Sequence, residues 1–347
     1  MKRNHHPGKV IRILLLCLCA AMLAAGTAFA ENIEIVNLGG ARNINLHYGT
    51  TLADGRILLA GAANDPGKTE CLPTLLCLNR DRTVGWEFTD EEFGSGEFSC
   101  TSEMSDGTIA AVYTRWGADN FACAQGIRFF TPDGKPTGKE TVISETGSVP
   151  VMFTAKSRLL VAVFEDDDIA SWRMIDMDGN EIKGLDNSFD FNDGFNAIDD
   201  AKWKNTEIFE GISDSFVDYA VSGGKTTVCF EKSEKHDFRD IMDFTEGTTL
   251  TIIAADENGM NPAKTEMRIT PENVEWMKQY LRENAGKKEM IPQFWANKLI
   301  PMDDGLWLLA RFSIYEERED PRIWDCMSTA LIKIPEPCSD EDQEEEQ

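Results

Sequence analysis

Histidine, positive charge and long apolar runs are all scarce in this sequence, and each shortage argues against a class of function. Only 4 of the 347 residues are histidine, and no Cys/His cluster has the spacing of a zinc site. Lys and Arg number 34 against 60 Asp and Glu, which gives a formal net charge of −26. Because that charge repels phosphate backbones and anionic lipid heads, we expect no nucleic-acid partner.

Recognisable catalytic motifs are missing as well. Residues 211–215 read Gly-Ile-Ser-Asp-Ser and lack the second glycine of a nucleophile elbow, and no glycine-rich phosphate loop occurs. Two histidines lie beyond residue 30, His47 near the start of a predicted strand and His236 in an acidic loop. We expect both to be structural or solvated. The sequence therefore predicts no catalytic residue.

The one long apolar run lies near the N-terminus. Four basic residues precede it, it covers residues 13–25, and Ala28 and Ala30 place small residues where a signal peptidase reads them. The run is short for a membrane span. We predict that residues 1–30 are a cleaved signal peptide, with an uncleaved anchor as the alternative. The mature protein is then secreted or held in the cell envelope, outside the cytoplasm, with no membrane insertion after cleavage.

Cysteine is moderately frequent, but its number is informative. Of nine cysteines, Cys17 and Cys19 lie inside the predicted signal peptide. The remaining number is odd, so at least one thiol is unpaired or pairs between molecules. The pairing itself stays open.

What the sequence does contain is a repeated pattern of turn, apolar strand, loop and second apolar strand. Glycine in these turns tolerates the positive φ that tight hairpins need. The strands are apolar on successive residues, which predicts burial on both faces. The first turns are Asp54-Gly55, Asp106-Gly107, Gly223-Gly224 and Asp304-Gly305, and the second turns are Asp133-Gly134, Asp178-Gly179 and Asn258-Gly259.

Four antiparallel strands that are covered on both faces and repeat about every 50 residues are typical of a β-propeller blade. The sequence predicts an all-β propeller of five four-stranded antiparallel blades, or six if the insertion at residues 186–213 hides a degenerate unit. Residues 31–337 form this single domain, and the acidic tail at 338–347 is predicted to be disordered.

Two further elements follow from local signals. Thr270, Pro271 and Gly286 are an N-cap, a first-turn proline and a terminator, so a helical insertion is predicted at about 271–286. The last repeat lacks a fourth strand, whereas residues 32–36 alternate with period two and have no blade of their own. We predict that this N-terminal strand pairs beside residues 331–334 and closes the ring, because an open ring would expose two sheet edges.

The best copy of the repeat, residues 52–86, resembles the blades of a known class of protein. Its Asp54-Gly55 turn, aliphatic strand, Asn79-x-Asp81 step and Trp86 are similar to those of bacterial secreted β-propeller repeat proteins, including quinoprotein-like and WD-like propellers. The resemblance implies the fold and assigns no activity. Of the repeats, only this copy has the blade tryptophan, Trp86. The docking signature of quinoprotein dehydrogenases is also absent, so no cofactor is predicted.

Propeller topology puts the tight turns at one end of the ring, which we call the tight-turn end. The connections between second and third strands, and those between blades, lie at the other end, which we call the long-loop face. We expect Ala62–Glu70, Arg115–Ala122, Glu165–Ser171, Glu231–Gly247 and Ser313–Asp325 to form long loops on that face. Loops on a rigid scaffold commonly carry binding residues. The candidate ligand-binding residues are the aromatic ones of these segments and of the 186–213 insertion: Trp116, Phe121, Trp203, Phe238, Phe244, Tyr315 and Trp324. The alternative is that these rings pin the loops to the blades.

Acidic segments suggest a weaker possibility of calcium binding. Asp190, Asn192, Asp193 and Asp199 offer oxygen ligands, as does the acidic run Asp166–Asp168, but neither segment has EF-hand spacing.

Two functions remain open. The favoured hypothesis is a secreted, non-catalytic binding protein that holds a glycan, a peptide or an envelope partner at the long-loop face. The alternative is a glycoside hydrolase with a carboxylate acid and base on a five-bladed propeller, an analogy at the level of fold. Inner-strand carboxylates that converge on the axis would favour the enzyme, and the main candidates are Glu103 and Asp218.

Overall fold

The computed structural model describes residues 33–38, 43–65, 68, 70–117, 122–149, 151–153, 159–165, 168–182, 215–232, 244–256, 262–286, 290–316 and 326–336. The predicted signal peptide and acidic tail lie outside these residues. So do residues 183–214, which include the insertion where a sixth unit is the alternative.

The described strands form five antiparallel sheets, each with its strands in chain order except for the last. The first sheet contains β2 (Asn43–Thr51), β3 (Ile57–Asn64), β4 (Leu72–Leu78) and β5 (Val84–Thr89). The second contains β6 (Gly96–Glu103), β7 (Ile109–Trp116), β8 (Ala122–Phe130) and β9 (Pro136–Ser144). The third contains β10 (Val151–Phe153), β11 (Leu159–Glu165) and β12 (Asp168–Ile175), and the fourth β13 (Ser215–Ser222), β14 (Lys225–Lys232), β15 (Thr248–Asp256) and β16 (Ala263–Ile269). The fifth contains β17 (Met290–Met302), β18 (Gly305–Glu316), β19 (Cys326–Lys333) and β1 (Ile35–Asn37).

The predicted glycine turns that the structure describes connect consecutive strands, whereas Asn258-Gly259 lies outside the described residues. Gly55 and Gly107 both have φ of +82°, and each donates its N–H at 2.9 Å to the carbonyl three residues earlier. This left-handed backbone is costly for residues with a Cβ. This need explains why Asp-Gly recurs after the inner strands β2, β6 and β17.

One predicted loop is wrong. The segment Glu165–Ser171 was expected to be a long connection, but β11 continues to Glu165 and β12 begins at Asp168, which pairs with Glu165. The strands extend because their backbone groups find partners across the hairpin, and hydrogen bonding outweighs the acidic character of the segment. Asp168 of the acidic run is thus a strand residue, while Asp166 and Asp167 lie outside the described residues.

The N-terminal strand closes the last sheet, as predicted. Ile35 pairs with Ile332 and Val36 with Leu331, so β1 is the outer neighbour of β19. The fifth sheet is therefore completed by residues from the opposite end of the sequence. Its hairpin of β17 and β18 is long, since pairing continues from Met302 and Gly305 out to Met290 and Glu316.

The five inner strands line up around a common axis. Their contacts run in the order β10, β6, β2, β17 and β13, so the first complete sheet lies beside both the second and the fifth. In the third sheet an isolated bridge, Ile175 to Glu181, follows the Gly179 turn at the place of a fourth strand. The protein is an all-β propeller of antiparallel blades closed by its N-terminal strand.

The core lies between neighbouring sheets. Every residue of β3 is buried. Ile57 and Leu59 join a cluster that reaches the fifth sheet, whereas Leu58 and Ala60 join one that reaches the second. A middle strand thus divides its side chains between two interfaces, as the unbroken apolar pattern predicts.

The helical insertion is shorter than predicted. Pro271–Asn273 form a 3-10 turn, and the α-helix α1 covers Glu275–Glu283 only. The Asn273 side-chain oxygen accepts hydrogen bonds from the N–H (2.8 Å) and hydroxyl (2.9 Å) of Thr270, so Thr270 caps the 3-10 turn and not the α-helix. Among the described residues, no helix has the length and apolarity needed to cross a bilayer.

The hydroxyl of Thr329 makes two hydrogen bonds between the first sheet and the last. Thr329 of β19 is fully buried, accepts a hydrogen bond from the Leu46 N–H at 2.9 Å and donates to the Ile44 carbonyl at 3.0 Å. Replacement Thr329→Val keeps the shape but leaves both backbone groups without a partner. We expect it to lower the free energy of unfolding by about 2 kcal/mol, measured by urea denaturation.

Thr101→Val is the matched control. Thr101 is also buried, at 2% exposure, but its hydroxyl has no hydrogen-bond partner among the described residues. The same chemical change should therefore leave stability unchanged or slightly raise it. Equal losses in both variants would show that Thr329 has no special place in closing the ring.

Candidate functional site

Four of the five inner strands carry a β-bulge at the same level of the propeller. In each of these strands one residue has no partner in the pairing with the second strand of its sheet. The unpaired residues are His47 in β2, Ser99 in β6, Val217 in β13 and Asn297 in β17. A bulge bends its strand and re-aims the adjacent side chains. The repeated bulge thus gives the axis a common layer of redirected side chains.

The residues directly after the bulges form the axial cluster: Tyr48, Cys100, Asp218 and Lys298. Lys298 Nζ lies 3.0 Å from Asp218 Oδ2 and 5.8 Å from the centroid of the Tyr48 ring. Burial raises the pKa of Tyr48, and Cys100 and Asp218 add to this shift. Burial also raises the pKa of Cys100 to about 12. At neutral pH the cluster therefore holds a protonated phenol, a protonated thiol and one ion pair.

Two carboxyl groups of the fourth sheet bind the backbone of β17 on either side of its bulge. Asp218 accepts the Leu299 N–H at 2.8 Å, and Glu231 accepts the Ala296 N–H. Thr248 also donates to Glu231, at 3.2 Å. Burial nevertheless raises the pKa of Glu231 to about 7, since these hydrogen bonds offset only part of the desolvation. This contact between sheets therefore changes its charge near neutral pH.

A polar layer lies between the axial cluster and the long-loop face: Asn45, His47, Glu97, Trp295 and Arg311. The Arg311 guanidinium lies 3.9 Å from the Trp295 ring centroid and donates to Asn45 Oδ1 at 3.0 Å. Burial lowers the pKa of Arg311 to about 10, so it stays charged at neutral pH. His47 Nδ1 is 4.0 Å from Glu97, and burial lowers the pKa of His47, although Glu97 opposes the shift. The layer offers a guanidinium, a neutral imidazole and an indole for polar recognition.

Three of the seven predicted aromatic residues are described, and two of them, Trp116 and Tyr315, lie at the long-loop ends of second strands. Trp116 is the last residue of β7, and Tyr315 is the penultimate residue of β18. Both are half-buried. Four other predicted residues, Phe121, Trp203, Phe238 and Trp324, lie outside the described residues. The structure therefore places two candidates at the same end of different blades.

Phe244 holds its segment against a blade, which is the alternative to ligand binding stated for the aromatic residues. It is 2% exposed, and its ring packs against Phe294 and Phe312 at centroid distances of 5.3 and 5.8 Å. The ring therefore anchors its segment to the fifth sheet.

Of the carboxylates named from the sequence, Glu103 is described and the calcium candidates at 190–199 are not. Glu103 accepts the Ala53 N–H at 2.6 Å and so ties the second sheet to the turn of the first. The calcium candidates Asp190, Asn192, Asp193 and Asp199 lie outside the described residues. Within the described part of the chain, no group of three or more His, Cys, Asp or Glu side chains could hold a metal ion.

The sequence analysis missed Tyr48, Cys100 and Lys298, although a usable signal exists. Each stands seven residues before a first-turn glycine, namely Gly55, Gly107 and Gly305. Asp218 stands six residues before Gly224. Constant spacing from the turn marks one level of the inner strands. Aligning the repeats on the turn glycine would therefore have found the cluster.

The pH dependence of stability tests the environment of Glu231. Its folded-state pKa of about 7 lies above its ordinary value of 4.5. The folded state thus retains the proton more strongly, and stability is lost as pH rises from about 4.5 to about 7. In Glu231→Gln this loss is absent. The variant should gain up to about 3 kcal/mol relative to the unmodified protein across this window, measured by urea denaturation at several pH values.

Glu266→Gln is the control for that series. Glu266 is an exposed glutamate on β16 of the same sheet, so its replacement should leave the pH profile unchanged. A Glu231→Gln profile parallel to that of the unmodified protein would contradict the raised pKa.

No family model and no curated protein sequence matches the chain. Among solved structures, the GH43_1 enzyme from Xanthomonas citri complexed with xylotriose is 8% identical, with a TM-score of 0.44, and covers 90% of this chain and 93% of its own. Catalytically inactive virginiamycin B lyase from Staphylococcus aureus with quinupristin is 12% identical, with a TM-score of 0.29 and coverages of 88% and 75%. A glucose dehydrogenase is 9% identical, with a TM-score of 0.37 and coverages of 87% and 99%. Likeness at this level assigns no activity, so the proposals below rest on the residues of this chain.

Proposed function

We propose that this is a secreted or envelope-held, non-catalytic binding protein whose long-loop face holds a glycan, a peptide or another envelope partner. The observation that carries the proposal concerns the inner strands. Their described carboxylates are Glu97, Glu103 and Asp218, and each already faces a protein group. Hydrolysis of a glycoside needs two carboxyl groups that face the substrate. Carboxylates committed to the scaffold fit binding better than catalysis.

The contacts that hold these three carboxylates differ in number and kind. Asp218 binds both the Lys298 ammonium, at 3.0 Å, and a backbone N–H, while Glu103 binds a backbone N–H of the neighbouring sheet. Glu97 lies opposite His47. Moving Asp218 out of these contacts to act on a substrate would leave the buried Leu299 N–H and the half-buried Lys298 ammonium without partners, which is costly. The Ala53 N–H that Glu103 binds is exposed and can be satisfied by water, so the contact of Glu103 is the weaker one.

The binding surface proposed here combines the polar layer with the rings at its rim. Trp116 and Tyr315 supply half-buried aromatic surface, and Arg311 and His47 supply donors below it. Rigid aromatic residues with a polar group contribute strongly to recognition at low conformational cost. The export predicted from residues 1–30 and the strongly negative charge suit a partner outside the cytoplasm.

Glycoside hydrolysis remains the second candidate because of one observation. Glu231 retains its proton near neutral pH, as a general acid must, and Asp218 on the same sheet is ion-paired. Carboxyl groups in contrasting environments are typical of acid/base pairs. If the protein is an enzyme, Glu231→Gln abolishes turnover and leaves substrate binding intact.

The test is a glycan array and a peptide array, run beside a hydrolysis screen on the same glycans, with the full chain. We expect saturable binding without hydrolysis. Trp116→Ala and Tyr315→Ala should each weaken binding about tenfold, since loss of an aromatic contact costs about 1.4 kcal/mol. Val84→Ala, at an exposed position of β5 near the tight-turn end, is the control and should bind normally. Product release from any glycan would overturn the non-catalytic assignment.

A further inference from the structure

A cleft opens at the tight-turn end of the axis, opposite the long-loop face. It has a volume of about 490 Å³. Its walls are the ends of β2, β13 and β17 that run into the tight turns, and β17 contacts both other strands. Gly49 allows β2 to lie close to β17, since a Cβ there would come within 2.3 Å of Ile300 Cδ1. The volume is in the range of small-molecule sites.

The cleft is electrically balanced, unlike the rest of this acidic protein. Its ammonium group, Lys298, is paired with Asp218 at 3.0 Å. Its carboxylate, Asp303, lies 3.7 Å from the Arg80 guanidinium. With each charge matched by a neighbour, the lining has no excess charge to attract an anion or a cation. The chemistry favours an uncharged ligand.

Hydroxyl groups dominate the remaining polar lining. They belong to Tyr48, Thr50, Thr51, Tyr219 and Ser222. The Thr51 hydroxyl donates to the Pro301 carbonyl at 2.5 Å, whereas the other four have no hydrogen bond to a protein group among the residues that the structure describes. A hydroxyl can both donate and accept, so the lining can match the mixed donors and acceptors of another hydroxyl-rich molecule.

An exposed aromatic ring completes the arrangement. Tyr219 is 41% exposed, which is unusual for a large side chain on an inner strand, whereas the next residue, Ala220, is 8% exposed. The raised pKa of Tyr48 keeps its phenol protonated, so that it can donate as well as accept. A flat ring beside a set of free hydroxyls suits a ligand with an apolar face and polar edges.

We propose that this cleft is a second binding site, for a neutral saccharide, with Tyr219 as the stacking platform and Tyr48, Thr50, Ser222 and Lys298 as hydrogen-bonding groups. A sugar ring combines a C–H face with hydroxyl edges and carries no charge, which matches the three properties of the cleft. The site is independent of the long-loop face and of whether that face binds a glycan.

Isothermal titration calorimetry of the full chain with neutral trisaccharides of glucose, N-acetylglucosamine, mannose, galactose and xylose tests the proposal, with trigalacturonate as the charged comparison. At least one neutral trisaccharide should bind, and trigalacturonate should bind at least tenfold more weakly. Tyr219→Ala should weaken binding about tenfold and Tyr48→Phe about fivefold, as expected for one ring contact and one hydrogen bond.

Val221→Ala is the matched control. Val221 is 62% exposed on the same strand but does not line the cleft, so its removal should leave affinity unchanged. Trp116→Ala, at the opposite end, reports on the long-loop face, so binding that is weakened by Tyr219→Ala and not by Trp116→Ala belongs to the cleft. Absence of binding by every neutral trisaccharide, preference for trigalacturonate, or binding that is weakened only by Trp116→Ala and survives Tyr219→Ala would overturn the proposal.

Discussion

Burial of both faces of the middle strands is the constraint on which this molecule depends. Leu58 and Leu59 are adjacent in sequence and both fully buried, yet they face different neighbouring sheets. A sheet that needs cover on two sides cannot stand at the end of a stack without exposing apolar surface. A ring in which each sheet covers the next meets that need, and the pairing of β1 with β19 joins the two ends of the chain.

The same constraint explains why polar groups concentrate on the inner strands. Between two sheets there is room for apolar side chains, and a polar side chain there must carry its own partner. Near the axis, the bulges redirect side chains away from the interfaces, so Tyr48, Asp218 and Lys298 meet one another. Asp218 also binds backbone of the neighbouring sheet. The axial cluster is thus part of the scaffold, and two of its members, Tyr48 and Lys298, also line the cleft at the tight-turn end.

The sequence predicts the parts of this fold that local chemistry decides. Turn glycines require a positive φ, unbroken apolar runs require two covered faces, and the orphan strand at Ile35 and Val36 requires a partner. The sequence predicts less well where an element begins and ends, because short-range pairing there overrides the composition and capping signals. The acidic segment at Glu165 and Asp168 pairs as a hairpin, and the α-helix begins only at Glu275 because Asn273 engages Thr270 first.

The candidate site was less accessible from sequence for a related reason. Trp116 and Tyr315 could be assigned to one face by topology alone, since both end a second strand. Lys298 gives no signal within its own repeat, because its importance lies in Asp218, 80 residues away in the chain, and in a bulge that no local pattern indicates. Only comparison between repeats carries that information.

The two ends of the axis have different chemistry, and this difference follows from the connections. At the tight-turn end, the two charged residues of the cleft, Lys298 and Asp303, each lie beside one group of opposite charge. The longer connections of the other end are acidic in sequence, and the described side chains at that end include Arg311 and His47. Carboxylates in excess there would attract cationic or strongly hydrogen-bonding groups, whereas the balanced cleft would not. The two sites proposed above therefore call for chemically different ligands, with the ion pair of Asp218 and Lys298 between them.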